Sequence, residues 1–120
     1  MNNKVYKNAL VKFMNFLKSE NYTVDKKFTT EMLLEITPSN VASYLNFKAF
    51  HKTNPGKEDC PIYARSNTLL GIKRMISTFM PRKTRAWDPI SNIGNPTRSE
   101  EVLNVIKSVQ KFEVRHQGYL

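Results

Sequence analysis

The 120-residue sequence predicts an all-α domain, a bundle of four to five helices with no sheet. Four segments repeat apolar residues at steps of three and four, the spacing of one helical face. No stretch alternates apolar and polar residues over the length of a useful strand. Breakers such as Asn54-Pro55-Gly56, Pro81 and Gly94 fall between the periodic segments, where turn residues end helices. A hydrophobic content of 40% is enough for one folded core. The expected unit is a single domain over residues 1–118.

The first helix is expected over Asn3–Glu20. Tyr6, Leu10, Phe13 and Leu17 mark its inner stripe, Ala9 and Phe16 flank it, and Asn21 ends it. Lys4, Lys7, Lys12 and Lys18 lie on other faces. A basic amphipathic helix also suits a membrane surface, but aromatic and Leu positions at this spacing suit a core face better. Tyr22–Ile36 carries a weaker pattern. Val24, Phe28, Met32, Leu33, Leu34 and Ile36 can pack, and Thr29-Thr30-Glu31 suits the start of a short helical turn.

Thr37-Pro38 opens the second long helix, with Thr as N-cap and Pro at the first helical position. Val41, Tyr44, Leu45, Lys48 and Ala49 form its inner face, which Phe47 and Phe50 widen. It fades near His51–Thr53. A third long helix is expected over Ala64–Met80, capped by Ser66 and stopped by Pro81. Its stripe is Leu69, Ile72, Ile76 and Phe79, with Met75 and Met80 adjacent. Gly71 weakens it, and either close packing or a close ligand approach would explain a glycine there.

Arg82–Ile93 is a connector that begins with the basic run Arg82-Lys83-Thr84-Arg85 beside Trp87. A basic run next to an aromatic suits nucleic acid. For Trp87 and Ile90 the favoured expectation is that they plug the core between helices, which leaves the basic run unexplained by packing. The last helix follows Gly94 and Pro96. Thr97-Arg98-Ser99-Glu100 fits a capping box, so Thr97→Ala would cost about 1 kcal/mol, unless Asn95 or Ser99 is the cap. Val102, Ile106 and Val109 face inward, with Leu103 and Val105 widening the stripe. Lys107, Lys111 and Arg115 stand at four-residue steps on another side. Stacked cations repel one another by a few tenths of a kcal/mol per pair. The stripe is therefore either a solvated face or the seat of a polyanion.

Charge favours the polyanion. There are 19 Lys and Arg against 10 Asp and Glu, a net charge of +9. Between Arg65 and Arg98 seven cations face Asp88 alone, a local net of +6. Such concentration points to nucleic acid, with an anionic membrane surface as competitor. No apolar run approaches the roughly 18 residues of a membrane span. No signal-peptide core follows Met1-Asn2-Asn3-Lys4. The lone Cys60 makes a disulfide or thiolate zinc site unexpected, and a reducing interior expected.

Catalytic chemistry is not expected. There is no Gly-rich phosphate loop, and His51 and His116 stand without companions at metal spacing. Tyr63, Tyr119 and Ser66 are conceivable nucleophiles, but nothing selects one. The expectation is no catalytic residue, no metal and no cofactor.

The order of a long first helix, the helix opened by Thr37-Pro38-Ser39-Asn40-Val41-Ala42-Ser43-Tyr44-Leu45, and a third beginning Arg65-Ser66-Asn67-Thr68-Leu69 resembles the N-terminal core-binding domain of tyrosine recombinases and integrases. Gly94-Asn95-Pro96-Thr97-Arg98-Ser99, followed by Val102, Ile106-Lys107 and Glu113-Val114-Arg115, is similar to the recombinases of Crypton-type mobile elements. The likeness covers most of residues 1–118 and is more specific over Trp87–Gly118. It implies a SAM-like bundle that clamps one side of duplex DNA, while a separate C-terminal domain carries the catalytic Arg, Lys, His and Tyr. That domain is expected to be absent from this chain, with Leu120 near the linker. Neither Tyr119 nor Arg115 inherits a catalytic role.

The expected function is therefore a duplex-DNA-binding module, nuclear in a eukaryote and otherwise cytoplasmic, not secreted. Self-association on DNA is conceivable, and neither a membrane nor a small-molecule substrate is expected. The candidate DNA-contacting residues are Arg65, Lys73, Arg74, Arg82, Lys83, Arg85, Arg98, Lys107, Lys111 and Arg115. The alternative is a helical protein-interaction adaptor, for which an exposed apolar patch is expected. A third reading is an RNA-binding or membrane-surface protein.

Overall fold

In the computed structural model, residues 3–116 are described; Gly118 and Tyr119, named above, lie outside them. Five α-helices and one 3₁₀ turn account for the regular structure: α1 Asn3–Lys18, α2 Thr30–Leu34, α3 Pro38–Phe50, α4 Ser66–Ser77, the 3₁₀ turn Pro96–Arg98, and α5 Glu100–Arg115. Among the described residues there is no strand, only two isolated bridges, Ala86 with Asn95 and Asp88 with Ile93. The domain is all-α.

Several ends follow local chemistry. Thr37 caps α3 as expected, and Asn40 completes the box: Asn40 N donates to Thr37 Oγ1 at 3.1 Å, and Thr37 N to Asn40 Oδ1 at 2.9 Å. Thr29 caps the short α2 by accepting from Met32 N at 3.1 Å. α1 ends at Lys18 rather than Glu20, because Ser19 adopts a left-handed φ of 54°. Asn15 then holds the returning chain, accepting from Tyr22 N at 2.7 Å.

Other ends differ from expectation. Ser66 is the first residue of α4, not its N-cap. Its N–H, which has no acceptor within the helix, is satisfied from a distance: Glu113 on α5 accepts from Ser66 N at 2.7 Å and from Ser66 Oγ at 2.6 Å. α4 ends at Ser77, before Pro81 is reached, as Phe79 N and Met80 N turn back onto Ile76 and Ser77 carbonyls. Thr97 is not the cap of α5. It lies buried in the 3₁₀ turn with its hydroxyl donating to Asn95 Oδ1 at 2.7 Å. Ser99 takes the cap, accepting from Val102 N at 3.3 Å, and Glu100 becomes the first helical residue. Ser99→Ala should therefore lower stability by about 1 kcal/mol, measured by urea denaturation with intrinsic fluorescence. An unchanged midpoint would show that Ser99 does not cap α5.

The core joins Leu10, Phe13 and Met14 of α1, Val41, Tyr44, Leu45 and Ala49 of α3, Leu69 and Ile76 of α4, and Val102, Ile106 and Val109 of α5, with Ile36 and Met80 closing it. α5 packs chiefly on α3, and α1 on α4. Phe13 and Phe16 meet the Tyr44 ring at 5.3 and 5.1 Å between centroids. Burial raises the Tyr44 pKa above that of an ordinary phenol. The stripe of α1 is rotated from the expected one: Val11 and Met14 are buried, whereas Tyr6 and Leu17 are only half-buried. Packing against both α3 and α4 accounts for the broader inner face.

Two expected core contributions fail. Ile90 is 92% exposed, and Trp87 is half-buried outside the core, so neither plugs the bundle. Phe47 and Leu103, 40% and 41% exposed, lie outside the buried cluster, although Phe47 still meets the Phe16 ring at 5.3 Å between centroids. A side chain at Gly71 would meet nothing within 4 Å, so close packing does not explain that glycine.

Candidate nucleic-acid interface

The connector between α4 and α5 folds around one buried side chain. Asn95 is 0% exposed. Its amide nitrogen donates to Ser77 Oγ at 2.8 Å and to the Lys83 carbonyl at 3.0 Å. Its amide oxygen accepts from Thr97 N at 3.0 Å and from the Thr97 hydroxyl. One side chain thus ties the end of α4, the basic run and the 3₁₀ turn together. The backbone reinforces it, with Asn95 N donating to Arg85 O at 2.8 Å and Trp87 N to Arg98 O at 3.2 Å. Gly94, at φ 130°, lets the two arms touch. Asp88 stiffens the loop tip by accepting from Ile90 N and Ser91 Oγ, both at 2.9 Å. These bonds, the Ile90 N–H first, hold its carboxyl below the usual carboxylate range, helped by Arg85.

This fold brings four of the ten candidate cations to one place. Lys73, Arg74, Lys83 and Arg98 line a cleft of about 460 Å³ between the second half of α4 and the connector, together with Leu70, Ser77, Thr78 and Thr84. No carboxylate lines it. Arg98 is anchored rather than free to swing, its guanidinium donating to the Thr84 carbonyl at 2.6 Å. Lys73 is half-buried, and its pKa is lowered first by burial and then by the charges of Arg98 and Arg74.

Lys107, Lys111 and Arg115 form a second group. They flank Gln110 and Val114 on the exposed side of α5, whereas Val102, Ile106 and Val109 face the core. The remaining candidates are not gathered with either group. Arg82 and Arg85 are exposed in the connector and line neither the cleft nor the α5 strip. Arg65 stands at the other end of α4, in a groove of about 500 Å³ with Phe47, His51, Tyr63 and Phe112. His51 stacks on Tyr63 there, the ring centroids 3.5 Å apart.

Among the described residues the ion pairs are Lys18–Glu35 at 3.7 Å and Lys52–Asp59 at 2.7 Å. None of the ten candidates takes part in one. Nor do the described residues bring together three or more His, Cys, Asp or Glu side chains able to hold a metal. No described helix is long and apolar enough to cross a membrane.

Sequence reasoning found the cations but not what organises them. Asn95 was legible only as part of a Gly-Asn-Pro turn and as an alternative cap, and it does cap the 3₁₀ turn; the hydroxyls of Ser77 and Thr84 carried no signal at all. The Phe47–His51–Tyr63 groove was equally silent, because its residues come from a helix end and a loop. No known protein family, curated protein or solved structure matches the chain.

Proposed function

We propose that the chain is a duplex-DNA-binding module, of the kind that clamps DNA for the separate catalytic domain of a tyrosine recombinase or integrase from a mobile element. The observation that supports it best is a set of cations with no ion-pair partner among the described residues, four converging on one carboxylate-free cleft and three on the outer strip of α5. Packing alone does not require that arrangement. Duplex DNA carries about one negative charge per 1.7 Å of axis, and cations that replace its counterions bind it in a salt-dependent way. The recombinase part of the proposal rests on the sequence resemblance. The matching compartment is the nucleus in a eukaryote and the cytoplasm otherwise.

The test is titration of a fluorescent duplex at several salt concentrations. Affinity should fall linearly on a logarithmic plot against salt. Lys107→Ala with Lys111→Ala should leave folding nearly unchanged, since exposed helix cations contribute little to stability. It should weaken binding to all sequences and lower the slope by about one unit per lost contact. Lys4→Ala with Lys12→Ala, on α1, should change neither. Equal losses from both pairs would reduce the patch to a diffuse cloud of charge. Wild-type protein without salt-sensitive binding would end the DNA reading.

One observation favours the adaptor reading. The groove around His51 exposes large apolar side chains: Phe47 is 40% exposed, Ile62 67% and Tyr63 54%. An adaptor would dock a protein there, its cations serving only solubility, and DNA binding would be absent.

A further inference from the structure

We propose that the cleft between α4 and the connector is a seat for a phosphomonoester, either the terminal phosphate of a DNA strand or a free phosphate, rather than for an internal phosphodiester. The proposal rests on the DNA reading only for the claim that a DNA strand carries the phosphate.

Convergence is the first argument. Lys73 and Arg74 come from α4, Lys83 from the basic run and Arg98 from the 3₁₀ turn, and all line one concave site. A phosphodiester along a duplex carries one charge and lies on an extended surface. A terminal phosphate carries about −1.5 to −2 at neutral pH and presents three acceptor oxygens. That is the ligand that several cations around a single cavity match. The donors are also set in advance. Asn95 fixes Ser77 Oγ as an acceptor, which leaves the Ser77 hydroxyl proton to donate elsewhere. Arg98 is pinned through one terminal nitrogen to Thr84 and Lys83 carbonyls, and its other N–H groups have no acceptor among the described residues.

The dipole of α4 offers a simpler account, because cations are favoured near a helix C-terminus. It does not suffice. Three of the four last-turn carbonyls are already occupied: Arg74 O accepts from Thr78 N at 3.2 Å and from Thr78 Oγ1 at 3.1 Å, and Ile76 O and Ser77 O accept from Phe79 N and Met80 N, both at 3.1 Å. Moreover, Lys73 loses basicity in this setting, first through burial and then through Arg98 and Arg74, so its surroundings oppose its charge. A bound dianion would reverse that opposition.

Proton linkage follows. The groups facing Lys73 across the cleft are Arg74, Lys83 and Arg98, with no Asp or Glu among the lining residues. An occupied cleft holds the Lys73 proton more tightly than an empty one. Affinity should therefore rise as the phosphate loses its second proton near pH ~6. It should fall again as pH climbs through the lowered Lys73 pKa of the free protein. Lys73→Arg should keep the binding and remove the alkaline fall.

The experiment compares a short duplex bearing a 5′-phosphate with the same duplex bearing a 5′-hydroxyl, by fluorescence anisotropy at one salt concentration. A 3′-phosphate duplex and inorganic phosphate alone form two further arms, the latter read by calorimetry. The expected result is about tenfold tighter binding of a phosphorylated end. That preference should vanish in Lys73→Gln and in Arg74→Ala, two variants checked for folding by circular dichroism. It should survive Lys107→Ala. Inorganic phosphate that binds and displaces the phosphorylated duplex would identify free phosphate as a second source. Salt-sensitive duplex binding with no end preference and no phosphate binding would overturn the seat and leave the DNA reading standing. Phosphate binding without duplex binding would do the reverse.

Discussion

Asn95→Ala should lower stability by about 3 kcal/mol and lower the melting temperature by roughly 10 °C. The wild-type amide makes four hydrogen bonds from a fully buried position. Alanine leaves the Thr97 N–H and the Lys83 carbonyl short of partners, and each buried polar group left unpaired costs about 1–3 kcal/mol. The damage should also spread to the cleft, because Asn95 is the tie between Ser77 and the basic run. Asn95→Asp is the informative companion. It keeps the acceptor for Thr97 but turns an oxygen toward the Lys83 carbonyl, where a donor is needed, so it should not rescue. Chemical denaturation gives the stability, and amide spectra of residues 77–98 give the extent of the change. An Asn95→Ala protein as stable as wild type would show that the connector does not depend on this side chain.

Gly94→Ala should be similarly harmful, at about 3 kcal/mol. The backbone there has φ 130°, a region that L side chains rarely adopt. The added Cβ would overlap the Ala86 carbonyl oxygen and sit 2.9 Å from Ala86 C and Trp87 Cα. These are backbone atoms of the opposing arm, so no side chain can rotate out of the way. Relief requires parting residues 86–87 from 94–95, which would pull Arg98 and Lys83 off their present positions. Gly71→Ala is the matched control. A Cβ at Gly71 meets nothing within 4 Å and the residue is in α4, so alanine should stabilise by about 0.5–1 kcal/mol. Thermal melts of the two variants make the comparison, and a harmless Gly94→Ala would show that the two arms are not tightly apposed.

Helix identity was legible because its signals act within a turn or two. Thr37-Pro38 specified the start of α3, and the 102/106/109 spacing specified the buried side of α5. The same range explains the stripe of Lys107, Lys111 and Arg115, since residues four apart share a side of any helix. Net charge and its concentration after Arg65 needed no structure.

Tertiary structure decided where local signals compete or have no local partner. Thr97 and Ser99 both suit a cap. Asn95 captures the Thr97 hydroxyl, and the cap passes to Ser99. Glu113 caps α4 from 47 residues away, a distance that no spacing rule can reach. Trp87 and Ile90 have the composition of core residues, yet the loop held by Asp88 keeps Ile90 in solvent. The cleft itself depends on a buried amide that bonds two segments distant in sequence. Residues 73–74 and 83–98 therefore meet only once that chain closure is made. Sequence alone determined which residues are charged and which helices carry them; chain closure around Asn95 determined which of those charges stand together.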